Sequence, residues 1–570
     1  MARSISGVFL VVGLAVTLLL LAHQASAHGS HAAAPKSKLQ IKAHKVEAIS
    51  IGATPATLQR SGEWVVVSWR GVDSPSAGDW IGVYSPANAS VTTSVPIKYK
   101  FADESTNYLS TGAGSVRFRL TNMRADYAFH FFRHGITRPT LVATSNAVTF
   151  VNYNEPMQGR LMLTGRQNEM RVMWTTRDAV RPQVKFGTSP GNYDQSVGAA
   201  TSTYRKEHMC GAPANAEGWR DPGLLHSAVL SNLRPDTRYY YVYGDPTFGF
   251  SAEASFVSEP HPGQSDRVIH LFAFGDMGKT TQDNSTEHWD SELASINTTT
   301  LIAKDLDARP MDLLLHIGDI AYAVGYGAQW DEFHDQVSAI STRLPYMTCI
   351  GNHERDFPNS GSRYNGSDSG GECGVAYEAR YPMPTPARDQ PWYSFDYGFI
   401  HFTFMSTEHD FSIGSVQWKW LEEDLKKVDR VKTPWVVFSG HRPMYIDSQG
   451  DIGDAADQPV ARELRANVED LLFKYQVDLA LWGHHHSYQR SCPVYKGTCI
   501  PSGRAPTHVV IGMAGFSLTT NLELEKPTWA RVVNDQEHGY TRLAVTRSRL
   551  EMEFISDVDT RVKDHFALYK

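Results

Sequence analysis

Ile269-His270-Leu271-Phe272-Ala273-Phe274, followed by Gly275-Asp276-Met277-Gly278, is where the character of this chain changes. A short apolar run that stops at a glycine-flanked aspartate reads as a buried strand delivering a side chain into a crevice at its C-terminal end. The same device recurs. Leu313–Ile317 is followed by Gly318-Asp319-Ile320-Ala321-Tyr322, and the run 346–350 by Gly351-Asn352-His353-Glu354. The run 435–438 leads into Ser439-Gly440-His441, and Leu479–Trp482 into Gly483-His484-His485-His486. A further run, 399–405, precedes Ser406-Thr407-Glu408-His409-Asp410. Stretches 329–340, 416–428 and 461–475 carry apolar residues at three- and four-residue spacing, which predicts amphipathic helices between the strands. Strand and helix in alternation predict an α/β domain with a buried sheet. Taken alone, an Asp-x-Gly is a turn signal. Five such endings in order focus carboxylate, phenol, amide and imidazole on one place.

Upstream the texture differs. From 36 to 151 short alternating runs, such as 64–69 and 115–120, are separated by Gly, Pro, Ser and Asn clusters, which predicts a β-sandwich. A second sandwich is predicted over 154–258 from 171–175 and 238–243, with 259–265 as a linker. The aromatic residues of the first sandwich are expected in its core, with a carbohydrate platform as the other option.

A chain of 570 residues exceeds a single core. Its formal charge of -7 excludes a general attraction for nucleic acid, so phosphate recognition has to be local. Arg3, an apolar run over 8–22 and Ala25-Ser26-Ala27 predict a signal peptide over 1–27, and no later segment is apolar enough to span a bilayer. The expected destination is extracellular, vacuolar or lysosomal, with N-glycan acceptors at Asn88, Asn284, Asn297 and Asn365. Five cysteines are too few for a disulfide scaffold, and an odd count leaves at least one unpaired. Cys492 and Cys499, flanking a turn-like stretch, are the expected pair. Cys349, inside an apolar run, is expected to be a buried thiol. The pairing of the others and homodimerisation stay open.

The five endings, in this order, resemble the signature of the purple acid phosphatases among the calcineurin-like metallophosphoesterases: Asp-x-Gly, Gly-Asp-x-x-Tyr, Gly-Asn-His-Asp/Glu, Val-x-x-His and Gly-His-x-His. The likeness covers 266–570, including a C-terminal extension from about 506, and 154–258 resembles the fibronectin-like domain of the large plant-type members. Gly440 to Tyr445 and Ser406 to Asp410 look most like their long-chain subgroup. The resemblance implies a multidomain fold in which Ig/fibronectin-like β-sandwich domains precede a four-layer α/β metallophosphoesterase sandwich. It assigns Asp276, Tyr322 and His486 to a ferric ion, Asn352, His441 and His484 to a divalent ion (zinc, iron or manganese), and Asp319 to the bridge. Relatives with a colourless site place His where Gly278 stands; a phenolate is the harder donor, suited to ferric iron.

It implies, further, a secreted acid phosphatase hydrolysing small phosphate monoesters by attack of an activated hydroxide. His353 would be the catalytic and substrate-contacting residue beside Asn352. Phe438 replaces the usual valine, which leaves His441 in place. The His pair that plant members carry after the fourth motif is missing from 444–451, so His409 is a candidate substitute for substrate contact, and His485 is expected to pack or support. A phosphodiesterase or nucleotide pyrophosphatase on the same metals, and a catalytically vestigial surface-binding protein, are the competing readings.

Overall fold

The computed structural model describes residues 49–263, 267–287, 292–501 and 503–570. The expected signal peptide at 1–27 lies outside the described residues, as does the end of the 259–265 linker.

Alternation builds the first sandwich. In the strand Glu63–Arg70, Val65, Val67 and Trp69 point inward while Trp64, Val66 and Ser68 face solvent, the period-2 pattern of a half-buried strand. With Ser50–Thr54 and Gly114–Leu120 it forms one antiparallel sheet. Opposite lie Lys98–Phe101, Trp80–Tyr84, Ala128–Arg133 and Thr140–Thr144. The aromatics form the core as expected: Trp69, Trp80, Tyr84, Tyr108, Phe118 and Phe129 are buried. Trp64 stays 40% exposed, with the Arg117 guanidinium 4.7 Å from its ring centre.

A second sandwich packs Met157–Met162, Met170–Thr176, Leu224–Leu230 and Ala200–Ser202 against a sheet centred on Gln183–Gly187 and Arg238–Asp245. The rest of the chain folds as two facing sheets with helices outside, the expected four layers. One sheet runs Tyr346–Cys349, Leu313–Ile317, Ile269–Phe274, Gly539–Val545, Arg549–Ser556, Val562–Tyr569. The other contains Tyr393–Tyr397, Ile400–Phe404, Trp435–Gly440, Leu479–Trp482, Thr507–Ile511 and Tyr488–Tyr495. The motif-bearing strands are parallel. Their uninterrupted apolar character has a plain cause: both faces are covered. Val437, Leu479 and Leu481 join the core between the sheets, whereas Val436, Phe438, Ala480 and Trp482 face Leu421, Leu425, Val460 and Leu464 of the outer helices. Each buried Val, Leu or Phe among them contributes about 1.5–3 kcal/mol.

Helix Val416–Lys427 shows how a local code sets an element. Ser415 Oγ caps it by accepting from Trp418 N, Leu421 and Leu425 bury one face, and Lys426 and Lys427 complement its C-terminal dipole. The single helix expected over 461–475 is instead two, Asp457–Asn467 and Glu469–Lys474. Trp418 Nε1 donates to the Asn467 carbonyl at 2.8 Å, drawing it out of the helical ladder, and the break falls at Val468. That bond is tertiary and leaves no trace in the periodicity.

The three blocks meet on the helix Gly327–Ser341. Its buried Asp331 accepts from Arg124 of the first sandwich at 2.8 Å and from Gln158 of the second, with Arg220 Nε at 3.8 Å. Cys210 of the second sandwich is bonded to Cys373 of the catalytic block, a pairing the sequence left open. Cys492–Cys499 forms as expected, and Cys349 is a buried free thiol donating to Met405 O at 3.2 Å. No helix among the described residues is long and apolar enough to cross a membrane.

Candidate metal centre

Three motif endings come from the first of the two sheets and two from the second, so the seven donors converge only because the sheets face each other. Asp276, Asp319 and Tyr322 adopt left-handed backbone with φ of 58°, 48° and 46°, and His484 does so at 70°. Non-glycine residues avoid this region, at a cost of order 1–3 kcal/mol each, and sites that keep it are held there by their surroundings. Gly318 is small of necessity: a Cβ there would stand 2.1 Å from His441 Nδ1.

Asn352 Oδ1 lies 2.9 Å from both His441 Nε2 and His484 Nδ1. Across the cluster, Tyr322 OH is 3.1 Å from His486 Nε2 and 3.3 Å from Asp276 Oδ1, and Asp319 Oδ2 is 3.2 Å from His441 Nε2. Asp319, His441 and His484 offer ligand atoms within 4.8 Å of one another. Donor–donor spacings near 3 Å are what metal–ligand distances of about 2.0–2.1 Å and right-angle coordination produce.

The orientations fit as well. His441 Nδ1 donates to Ile317 O at 3.2 Å and His486 Nδ1 to Ser517 O at 2.8 Å, which leaves each Nε2 lone pair facing inward. The Asn352 amide is turned by its Nδ2, which donates to Asp368 Oδ2 at 3.0 Å. Glu354 accepts from the backbone of Gly351, Asp319 and Ile320 at 2.9, 3.1 and 2.8 Å, knitting two motif turns together.

Electrostatics give the same answer. Burial, then the charges of Asp276 and Asp319, push the Tyr322 phenol well above its usual range. Burial would raise Asp319, but His441 and His353 outweigh it and hold that carboxyl well below the carboxylate range. His441 is pushed up to about 10: burial opposes this, and Asp319 overcomes it. Burial, aided by the charge of Asp319, pushes Asp276 in contrast well above the carboxylate range, so crowded acidic groups converge where a bound cation would relieve them.

His353 stands at the rim. Its Nε2 is 3.9 Å from Asp319 Oδ2 and its ring lies 4.5 Å from that of Tyr322. His409 is set elsewhere: it contacts Ser406 Oγ at 2.8 Å, Asp389 at 3.2 Å and Arg355 Nε at 3.2 Å. Arg355, to which it is joined, stands three residues after Asn352. His485 supports, bonded to Ser487 Oγ and Asn521. The segment 444–451, where the His pair was missing, is tied down by Tyr445 to Glu469, Asp447 N to Gln489 and Ser448 to Asp457. Tyr445 and Ile446 then line a separate cleft of about 580 Å³ with Trp529 and Arg465.

Two residues escaped the sequence reading. Arg442 is buried between Glu408, both of whose oxygens are 3.0 Å from Nε, and Asp356 at 3.1 Å, and its Nη1 lies 3.1 Å from His484 Nε2. Phe516 stacks on Tyr322 at 4.3 Å and lies 4.8 Å from His486. Arg442 directly follows the motif residue His441, whereas Phe516, in the C-terminal segment, lies outside every motif.

Residues 51–152 match the Fn3-like domain from purple acid phosphatase and 156–258 the purple acid phosphatase N-terminal domain. Residues 269–488 match the calcineurin-like phosphoesterase family and 505–565 the iron/zinc purple acid phosphatase-like protein C. The chain is similar to "Probable inactive purple acid phosphatase 27" of Arabidopsis thaliana, 38% identical over 91% of this chain and 89% of that protein. It is 37% identical to a nucleotide pyrophosphatase/phosphodiesterase of Hordeum vulgare over 55% of this chain and 87% of the relative. The solved structure of purple acid phosphatase PPD1 from yellow lupin (Lupinus luteus) seeds superposes with a TM-score of 0.87 at 37% identity, covering 92% of this chain and 96% of that one. With four matched regions in order and a relative 38% identical over most of both chains, the chain belongs to the purple acid phosphatase family of metallophosphoesterases.

Proposed function

We propose that this chain is a secreted acid phosphatase hydrolysing small phosphate monoesters at a ferric–divalent pair, with iron, zinc or manganese as the second ion. The observation that carries the reading is Asn352 Oδ1 at 2.9 Å from two inward imidazole nitrogens, while Asp276, Tyr322 and His486 gather on the other side. In this reading Asp276, Tyr322 and His486 hold the ferric ion, Asn352, His441 and His484 the divalent one, and Asp319 is shared. When bound, such a pair supplies Lewis-acid polarisation of the phosphoryl group and a more acidic water as nucleophile.

The chain's own residues do the rest. Asn352 and His353 face the phosphate, and His353 Nε2, at the rim, hands a proton to the departing alcohol. Phe516 shields Tyr322 and His486 from water. Arg442 holds the His484 ring, and His409 supports Arg355 behind Asn352. Secretion is proposed from the 1–27 pattern; exposure of Asn88, Asn284, Asn297 and Asn365 fits glycosylation on that route.

A second reading, a nucleotide pyrophosphatase or phosphodiesterase, is favoured by one observation: the segment 444–451, held on Gln489, Asp457 and Glu469, contains no histidine to offer a monoester leaving group. Steady-state rates on a phosphate monoester and a bis-ester separate the two, and a strong preference for the bis-ester overturns the first. A vestigial binding protein is opposed by the presence of all seven ligand types; purified protein that holds no metal and hydrolyses neither ester would establish it.

A further inference from the structure

The first sandwich, which the proposed chemistry does not use, is joined to the catalytic block at an unexpected point. The two-residue strand Thr286–Glu287 of the catalytic block is the edge strand of the sandwich's own five-stranded sheet. It pairs antiparallel with Lys98–Phe101, Thr286 opposite Tyr99 and Glu287 opposite Lys98. The segment before it is pinned by buried charge. Lys98 Nζ lies 3.1 Å from Asp283 Oδ2, which also accepts from Arg119 N at 2.7 Å, and Lys100 Nζ donates to the Asp283 carbonyl at 2.6 Å.

The other end of this segment is the metal turn. Lys279, three residues after Asp276, is wholly buried, with its ammonium 2.9 Å from Glu287 and 3.3 Å from Glu292. Glu292 also accepts from Lys279 N at 2.8 Å and packs over Gly278, where an added Cβ would meet its Cδ at 2.6 Å. Gly278 N in turn donates to Ile320 O at 3.2 Å, between Asp319 and Tyr322.

We propose that the first sandwich is a positioning element of the hydrolytic site: Lys98 and its strand set the segment 279–287, and Lys279 carries that placement to the turn bearing Asp276. Gluing two domains together does not require this arrangement. Arg119 to Asp335 at 2.6 Å and Arg124 to Asp331 at 2.8 Å already fasten the sandwich to the helix Gly327–Ser341, which meets the segment 279–287 where Gln336 accepts from Thr280 N at 3.0 Å. A buried ion pair adds little net stability over an apolar contact, and its clearest use is to fix one arrangement against others. Here the arrangement it fixes is on the Asp276 and Tyr322 side.

The test compares Lys98→Met and Glu287→Gln with Arg119→Met, which breaks only the fastening to Asp335. Amide hydrogen exchange on the metal-free full chain is expected to rise at least about tenfold in peptides covering 269–287 for the first two variants, with 346–356 unchanged. On protein purified with its metals, iron per chain and the visible tyrosinate band fall while the divalent ion is retained, and kcat drops about tenfold with KM nearly constant, a magnitude ordinary for residues that orient ligands. Arg119→Met should change none of these. The proposal is overturned if Arg119→Met reproduces the pattern, or if Lys98→Met and Glu287→Gln exchange like the unmodified chain. Should Lys98→Met fail to fold, Glu287→Gln carries the comparison, since it leaves the Lys98–Asp283 pair intact. The metal readouts rest on the ferric assignment of the proposed function. An iron-free, colourless parent protein refutes that assignment, while the exchange comparison still decides this one.

Discussion

The two halves of the candidate metal centre are built differently. On the Tyr322 side, the donors are held by backbone: Asp276 and Tyr322 sit in left-handed conformations, Phe516 stacks on the phenol at 4.3 Å, and Ser517 O fixes His486. On the His441 side, they are held by a charged net in which Arg442, gripped by Glu408 and Asp356, reaches His484 and Asp368 orients Asn352. The difference teaches that in one half backbone conformation and stacking touch the ligands, with buried charge only behind the Asp276 turn, whereas in the other charged side chains touch the ligands directly. Each has its own point of failure.

The largest effect should erase the comparison. Asp319→Ala removes the shared carboxylate, so both ions are expected to be lost and kcat/KM to fall on the order of 1,000-fold, about 4 kcal/mol; metal analysis showing one ion retained would break the bridging assignment. Tyr322→Phe attacks the conformational half alone. It should abolish the visible band and lower kcat/KM roughly 100-fold, about 2.7 kcal/mol, while the divalent ion stays, as elemental analysis after gel filtration would report.

Arg442→Met attacks the charged half. Divalent affinity should weaken about 10- to 100-fold with the band preserved, and titration of the ion against absorbance reads both at once. If the band disappears too, the halves are not independent.

The smallest effect on the site is a control. His401, buried between Asp396 at 2.7 Å and Asp424 at 3.2 Å, lies outside both halves. Burial lowers its affinity for a proton, but the two carboxylates prevail and push it up to about 9 from 6.5. A folded-state value above the unfolded one contributes stability that is complete below about pH 6.5 and lost as pH rises through about 9. His401→Gln should therefore cost about 1–3 kcal/mol at pH 6 and almost nothing at pH 9.5, measured by urea unfolding, with metal content and band untouched at either pH.

Sequence alone determined the strands and the candidate donors in the motifs at their ends, which the fold brings to one place. All seven donors sit in short motifs directly after apolar runs, and both signals are local: a turn needs glycine where it bends, and a strand covered on both faces needs unbroken apolar residues. The observed strands at Ile269–Phe274, Leu313–Ile317 and Leu479–Trp482 have the expected bounds for that reason. Tertiary structure alone decided how the donors are held. Phe516 arrives from a segment that follows the last motif, Cys210 finds Cys373 across 163 residues of chain, and the Asn467 carbonyl is taken by Trp418 from another helix. The link from Lys98 to the Asp276 turn runs through Asp283, Glu287 and Lys279, each an unremarkable charged residue in the sequence. Their meaning lies in burial, which turns an ordinary surface charge into one that must find its partner, and burial is a property of the packed molecule.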